Sequence, residues 1–227
     1  MDLAIEWYGH SYTLIETGNK RIVIDPHDGG SLNLPEFRVE ADIVLITHNH
    51  YDHNAVEMVR KANHIFEWFR GEKVIGEIKV RGFKSYHDKS QGKIRGENTV
   101  YEIETPAGVR VAHLGDIGHK PDGPLLERLR GVDILLVPVG GVYTVDAYEA
   151  WEIVEMLQPR IVIPIHFWVP KSTVPLDPLD KFLNVAKAGR TRLETNRLEA
   201  NRKALDKIKR TIIVMPDPHS LAARSEQ

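Results

Sequence analysis

The sequence predicts an α/β protein in which apolar strands are covered by helices. Three observations lead there. Short alternating runs separated by turn residues fill the first third of the chain. Later runs such as "ADIVLIT", "VDILLVPV" and "RIVIPI" are continuously apolar over strand length, the mark of strands covered on both faces. Amphipathic segments with capping and stop signals lie between the last of these. With 227 residues, 42% of them hydrophobic, residues 1–227 are expected to form one domain with one substantial core.

Taken in order, "LAIEWY", "YTLIE" and "RIVID" alternate and are separated by "GHS" and "TGNK", which predicts an antiparallel meander. "ADIVLIT" follows as a buried strand. Asn54, with Glu57 three residues on, has capping-box spacing, and Ala55, Met58, Val59 and Ala62 make one apolar stripe, so a helix is expected there. "KVIGEIKVRGF", "NTVYEIET" and "VRVAHLG" read as strands. "PDGPLLERLRG" reads as a short helix and "VDILLVPVGG" as a buried strand. "DAYEAWEIVEMLQP" is a helix capped by Asp146, with Glu149 at its third position and Pro159 as its stop. "RIVIPIH" is a further buried strand, "WVPKSTVPLDPLD" a loop, residues 191–210 a helix, and "TIIVMP" a last strand.

Composition excludes several classes. A formal net charge of −2 gives no global attraction to nucleic acid. Without cysteine there can be no disulfide and no zinc–thiolate site, so any metal must use imidazole and carboxylate ligands. The absence of cysteine and of a signal-like start fits a cytoplasmic protein. No apolar run approaches the ~18 residues a bilayer span requires, so no membrane partner is expected.

The chemistry concentrates in "THNHYDH". His48, His50, Asp52 and His53 occupy a six-residue stretch that ends a buried strand, where ligands collect in α/β sheets. His48, His50 and Asp52 alternate and can converge on one side, while His53 points elsewhere. One loop can therefore serve two ions, with His48 and His50 on one and Asp52 and His53 on the other. Imidazole with carboxylate suits zinc, manganese or iron. Four ligands do not complete two sites, so other strand ends must contribute. His87 in "SYHDKS", Asp116 in "VAHLGD", where Gly115 permits close backbone approach, and His166 closing "RIVIPIH" are the candidates.

"THNHYDH" resembles the His-x-His-x-Asp-His signature of the metallo-β-lactamase superfamily. "WYGHSYTLIE", "AHLGDIG", "LLVPVGG" and "IVIPIHF" are similar to phrases of its small metal-dependent hydrolases, related to the ascorbate-6-phosphate lactonases. The likeness runs from about residue 5 to residue 168. It implies a four-layer αβ/βα sandwich, two mixed sheets flanked by helices, with two divalent ions, foremost Zn2+ with Mn2+ or Fe2+ as alternatives. By motif match, His48, His50 and His87 would hold one ion and Asp52, His53 and His166 the other. Asp116 would bridge them, and Asp25 would brace the loop. His113 competes with His87 for its place. The Asp88–Lys89 pair after His87 departs from the small hydroxyl residues usual there, which bears on substrate rather than metal.

The expected chemistry is hydrolysis of an ester, lactone or phosphoester of a small substrate by a bridging hydroxide. Asp52 would handle protons as well as bind metal, and His10 would orient substrate or act as a donor near the site. Diiron oxygenases of this superfamily usually carry glutamate where His50 stands, so histidine favours hydrolysis. His27, after "DP", is a weaker candidate of the same kind as His10. His64, His119 and His219 read as ordinary. The backbone at Gly140 and Gly141 can approach a substrate or simply turn. Trp168 and Lys171 can line the mouth, and Lys171 would suit a phosphorylated substrate. Residues 190–210 carry eight Lys or Arg against three Asp or Glu, read foremost as a solvated face. A metal-dependent nuclease and a catalytically silent metal-binding protein are the alternatives; nucleic acid is disfavoured as a partner, and a homo-oligomer is left open.

Overall fold

Two mixed sheets face one another across a shared apolar core in the computed structural model, which describes residues 2–225. The chain opens with the expected meander, β1 (Leu3–Trp7), β2 (Thr13–Thr17) and β3 (Lys20–Ile24). It continues through β4 (Val39–Glu40), β5 (Ile43–Ile46), β6 (Val59–Arg60) and β7 (His64–Glu67). Then come β8 (Gly71–Ile75), β9 (Ile78–Tyr86), β10 (Glu97–Glu104) and β11 (Arg110–His113), all antiparallel. Helix α1 (Gly123–Leu129), β12 (Ile134–Pro138), α2 (Ala147–Leu157), β13 (Ile161–Ile165) and α3 (Leu179–Val185) follow. The described chain finishes with β14 (Gly189–Arg192), β15 (Arg197–Ala200), α4 (Arg202–Leu205), β16 (Thr211–Val214) and α5 (Pro218–Ser225).

The first sheet runs β15-β1-β2-β3-β5-β7 and the second β14-β16-β13-β12-β11-β10-β9-β8. In both, a meander passes into parallel strands, β3-β5-β7 in one and β11-β12-β13-β16 in the other. Within the first sheet β1, β3 and β5 therefore point the same way, as do β9, β11, β12 and β13 within the second. Their C-terminal ends define one edge of each sheet.

Alternation decides what each face packs against. On β2, β3 and β5, Ile15, Ile22, Ile43 and Leu45 face the second sheet and join Val80, Val100 and Tyr101 in the main core. Leu14, Val23, Val44 and Ile46 face outward and meet Tyr8, Tyr12, Val39 and Val59. That outer face is covered by the two-stranded ribbon β4–β6 and a 3-10 turn, not by an α-helix. The second sheet carries the helical layer: α2 is held by the expected Asp146–Glu149 capping box and buries Ala150, Trp151, Ile153, Val154 and Leu157.

Two local expectations fail for identifiable reasons. The helix after the histidines is a 3-10 turn at Val56–Met58 that passes straight into β6, and Asn54 donates to the Asn49 side chain instead of capping. The stripe residues Ala55, Met58 and Val59 are buried as anticipated, but Val59 pairs with Val39. Residues 191–210 are not a long helix. Leu198 and Ala200 are buried at period two and their strand pairs with β1, and only one helical turn follows, capped by Asn201. The loop read over 168–180 is present and runs into α3 at Leu179, anchored by buried Phe182 and Leu183.

Candidate metal centre

Each segment that supplies clustered donors enters the site within three residues of the C-terminal end of a strand pointing toward the common edge, and His50, Asp52 and His53 follow His48 in the loop after β5. His10 follows β1, Asp25 follows β3, His48 follows β5, His87 follows β9, Asp116 follows β11 and His166 follows β13. His10, Asp25 and His166 all adopt positive φ, 50°, 48° and 50°. Such backbone is unfavourable for residues with a Cβ and persists where surrounding bonds fix it. At His166 they do: its N–H donates to the His10 carbonyl, and its own carbonyl accepts from the Gly140 N–H. A Cβ at Gly140 would sit 2.3 Å from that carbonyl, so this glycine serves the His166 turn. A Cβ at Gly115 would sit 2.4 Å from the Asn98 side chain, which confirms the close approach expected before Asp116.

The donors form two groups. One atom from each of His48, His50 and His87 lies within 4.8 Å of the others, and the same holds for His10, Asp52, His53 and His166. Asp116 stands between them. Its Oδ2 is 3.1 Å from His166 Nε2, 3.2 Å from His87 Nε2, 3.3 Å from His53 Nε2 and 3.9 Å from His48 Nε2. Asp116 is 2% exposed, and its Oδ1 has no hydrogen-bond partner. The Nε2 atoms of His48 and His53 are likewise buried without a partner.

Behind the cluster, Asp25 fixes the orientation of two rings. Fully buried, it accepts from the Thr47 N–H at 2.8 Å and the Thr47 hydroxyl at 2.7 Å, and its Oδ2 lies 3.1 Å from His53 Nδ1. The hydroxyl proton being given to Asp25, Thr47 Oγ1 can only accept at His48 Nδ1, 2.9 Å away. Both rings therefore carry their second-nitrogen proton on Nδ1 and turn Nε2 into the cluster, the arrangement a metal-binding imidazole needs.

Charge coupling within the cluster is strong. Burial would raise the Asp116 carboxyl, but His166 and His53 outweigh it and hold it well below the usual carboxylate range. Burial would lower His53, yet Asp116 and Asp52 raise it well above the ordinary imidazole value. His48 is driven well below by burial and by His53. His10 is pushed down to about 3 by burial and by His166, and its Nε2 lies 3.1 Å from Asp52 Oδ2. Two buried or half-buried carboxylates facing imidazoles without other donors fit divalent cations, which would answer the unpaired lone pairs and negative charge together.

The remaining histidines are placed elsewhere. His113 is committed, with Nε2 3.1 Å from the Ser11 carbonyl and Nδ1 accepting from the Gly115 N–H, so the strand ends bring His87 and not His113 to the cluster. His27 is fully buried with Nδ1 accepting from the Gly29 N–H, outside both groups. Asp88 neither braces His87 nor lies in solvent. Its carboxylate accepts from the N–H groups of Ser90, Gly92, Ile94 and Arg95 and clamps the loop between β9 and β10. Burial would raise it, but these donors, Arg95 first, bring it down to about 2.

The cluster opens into a cavity of about 320 Å³ whose outer wall includes Tyr51, Arg95, Tyr143, Thr173 and Val174. Trp168 lines a different hollow with Trp7 and Phe167, and Lys171 does not line the mouth. Arg95 and Tyr143 escaped sequence reasoning because only the folded Asp88 loop and the turn after β12 bring them there. A larger hollow of about 730 Å³ beside α2 and α3 contains no clustered metal donors.

Comparison with known proteins agrees with this geometry. A family described as the β-lactamase superfamily domain matches residues 4–166. The chain belongs to that superfamily. A UPF0173 metal-dependent hydrolase of Thermococcus onnurineus is 35% identical over 75% of this chain and 88% of its own length. Another, from Pyrococcus furiosus, is 32% identical over the same shares. A metallo-β-lactamase superfamily structure from Thermotoga maritima, described as a Zn-dependent hydrolase, superposes with TM-score 0.76 and 31% identity over 94% of this chain and 98% of that one. The superfamily chain described here is accordingly a metal-dependent hydrolase with mixed sheets and few flanking helices. Among its described residues no helix is long and apolar enough to cross a membrane.

Proposed function

We propose that the chain hydrolyses an ester, lactone or phosphoester bond of a small substrate at a dinuclear centre, with zinc as the foremost metal. The observation that carries this reading is Asp116 Oδ2, set between two donor groups and facing four imidazole nitrogens. His48, His50 and His87 would hold one ion, Asp52, His53 and His166 the second, and Asp116 would bridge. When bound, such a pair supplies Lewis acidity and a water acidified enough to attack at neutral pH. Asp25 and Thr47 keep His53 and His48 in the binding tautomer. His10, neutral in this setting, donates its Nε2 proton to Asp52 Oδ2 and holds that carboxylate in place for proton transfer at the same oxygen. A cavity of about 320 Å³ suits a small molecule. The basic tail gives little support to a nucleic-acid substrate, since three of its arginines, Arg197, Arg202 and Arg210, are paired with acidic groups of the chain.

The test is chelation and reconstitution of protein purified without a metal-affinity tag. Turnover against a panel of lactones, carboxylic esters and phosphoesters is expected to vanish on chelation and return with added Zn2+. Turnover that survives complete metal removal contradicts the reading.

A further inference from the structure

The mouth of the cavity presents a cation that forms no ion pair among the described residues. Arg95 is half-buried and lines both the cavity over the cluster and a neighbouring hollow shared with His48, His50 and Trp68. Among the described residues its guanidinium forms no ion pair and instead lies 4.5 Å from the centroid of the Tyr143 ring. The cations around it are engaged otherwise: Arg70 and Lys84 both pair with Glu97, and Lys89 pairs with Glu149.

Its position is built. Asp88 gathers the loop N–H groups of Ser90, Gly92, Ile94 and Arg95, the last at 2.8 Å. The centroid of the Tyr143 ring lies 4.5 Å from the guanidinium carbon, a cation–π contact that holds the group at the cavity wall. Tyr51 and Tyr143 line the same cavity. Among the described residues the carboxylates on this wall are Asp52 and Asp116, both placed in the proposed metal centre. A planar, oriented guanidinium beside phenols recognises a carboxylate or phosphate by paired N–H donation.

We infer that Arg95, oriented by Tyr143 and the Asp88 loop, is an anion-binding residue that selects substrates carrying a phosphate or carboxylate remote from the bond that is broken. This deepens the hydrolase reading and rests on it for the substrate, though not for anion binding itself. The residue positions the substrate and takes no part in bond cleavage.

Two experiments on the metal-loaded full chain test it. In the first, wild type, Arg95→Ala and Arg95→Lys are titrated calorimetrically with inorganic phosphate and with acetate. Arg95→Ala is expected to bind the preferred anion about 10-fold or more weakly, and Arg95→Lys to fall between, because lysine keeps the charge but not the planar fork. In the second, matched aryl esters bearing a remote phosphate, a remote carboxylate or a neutral hydroxyl are compared. The ratio of kcat/KM for anionic over neutral ester is expected to drop about 10-fold in Arg95→Ala, through KM. The ester whose ratio drops more identifies phosphate or carboxylate as the natural group. Unchanged anion affinity in Arg95→Ala overturns the inference, as does an unchanged ratio. If wild type turns over none of the esters, the hydrolase reading fails while the titration still decides the anion site.

Discussion

The strand-end edge around Asp116 and the tail from residue 190 to residue 210 are both crowded with charged or titratable side chains, yet they resolve in opposite ways. In the tail three arginines find acidic partners within the chain. Arg197 pairs with Glu6, Glu16 and Glu199, Arg202 with Asp133 and Asp206, and Arg210 with Glu155. At the edge, Asp116 Oδ1 and the Nε2 atoms of His48 and His53 are buried and lack hydrogen bonds. Leaving buried polar atoms unmatched costs about 1–3 kcal/mol each, more where charge is involved. A cluster that satisfies itself is structure. One that stays unsatisfied in the interior is built for something that arrives from outside.

That contrast can be broken most sharply at Asp116. Asp116→Asn keeps the shape and removes the charge, and is expected to lower turnover by about 10³-fold or more and to release metal. Retained turnover and metal would equate the edge with the tail. The tail should answer with stability alone. Arg202→Ala leaves Asp133, 6% exposed, without its two-pronged partner, and is expected to cost about 1–3 kcal/mol in denaturant unfolding with turnover within twofold.

His27 gives a third and different case, a buried imidazole held neutral. Burial, first among its causes, pushes it from 6.5 down to about 4. The unfolded chain takes up the proton first as pH falls, so this residue's contribution is complete above about pH 6.5 and is lost progressively toward about pH 4. The loss is of the order of 3 kcal/mol. His27→Gln, compared with wild type in urea titrations across that window, is expected to remove about one proton from the dependence. Identical slopes would show that His27 is not buried neutral. At the smallest end, Lys203, Lys207 and Lys209 are exposed, and their joint replacement by alanine should change stability by under about 0.5 kcal/mol and turnover not at all.

Much of the centre is legible in sequence because chain direction does the sorting. His48, His50, Asp52 and His53 are local, and Asp25, His87, Asp116 and His166 each close a run that reads as a strand. Parallel or like-directed strands then deliver those ends to one edge. What the sequence hides is whatever depends on side chains meeting across loops. Arg95 reaches the mouth only because Asp88 gathers four backbone donors, and nothing in "HDKSQGKIRG" announces that clamp. His113 looks like a ligand in "VAHLGD" until its two nitrogens are seen spent on Ser11 and Gly115. The stripe Ala55–Met58–Val59 has helical spacing, but its burial is met by a two-stranded ribbon. In the tail, the helix expected over 191–210 gives way to a strand because Leu198 and Ala200 alternate toward β1.

Metal content of untagged wild type, His87→Ala and His113→Ala, measured by elemental analysis after extensive dialysis, tests the centre most directly. Two ions per chain in wild type, a reduced count in His87→Ala and an unreduced count in His113→Ala are the expected results. A wild type that holds no metal, or a count that falls with His113 and not with His87, would contradict a centre bridged by Asp116.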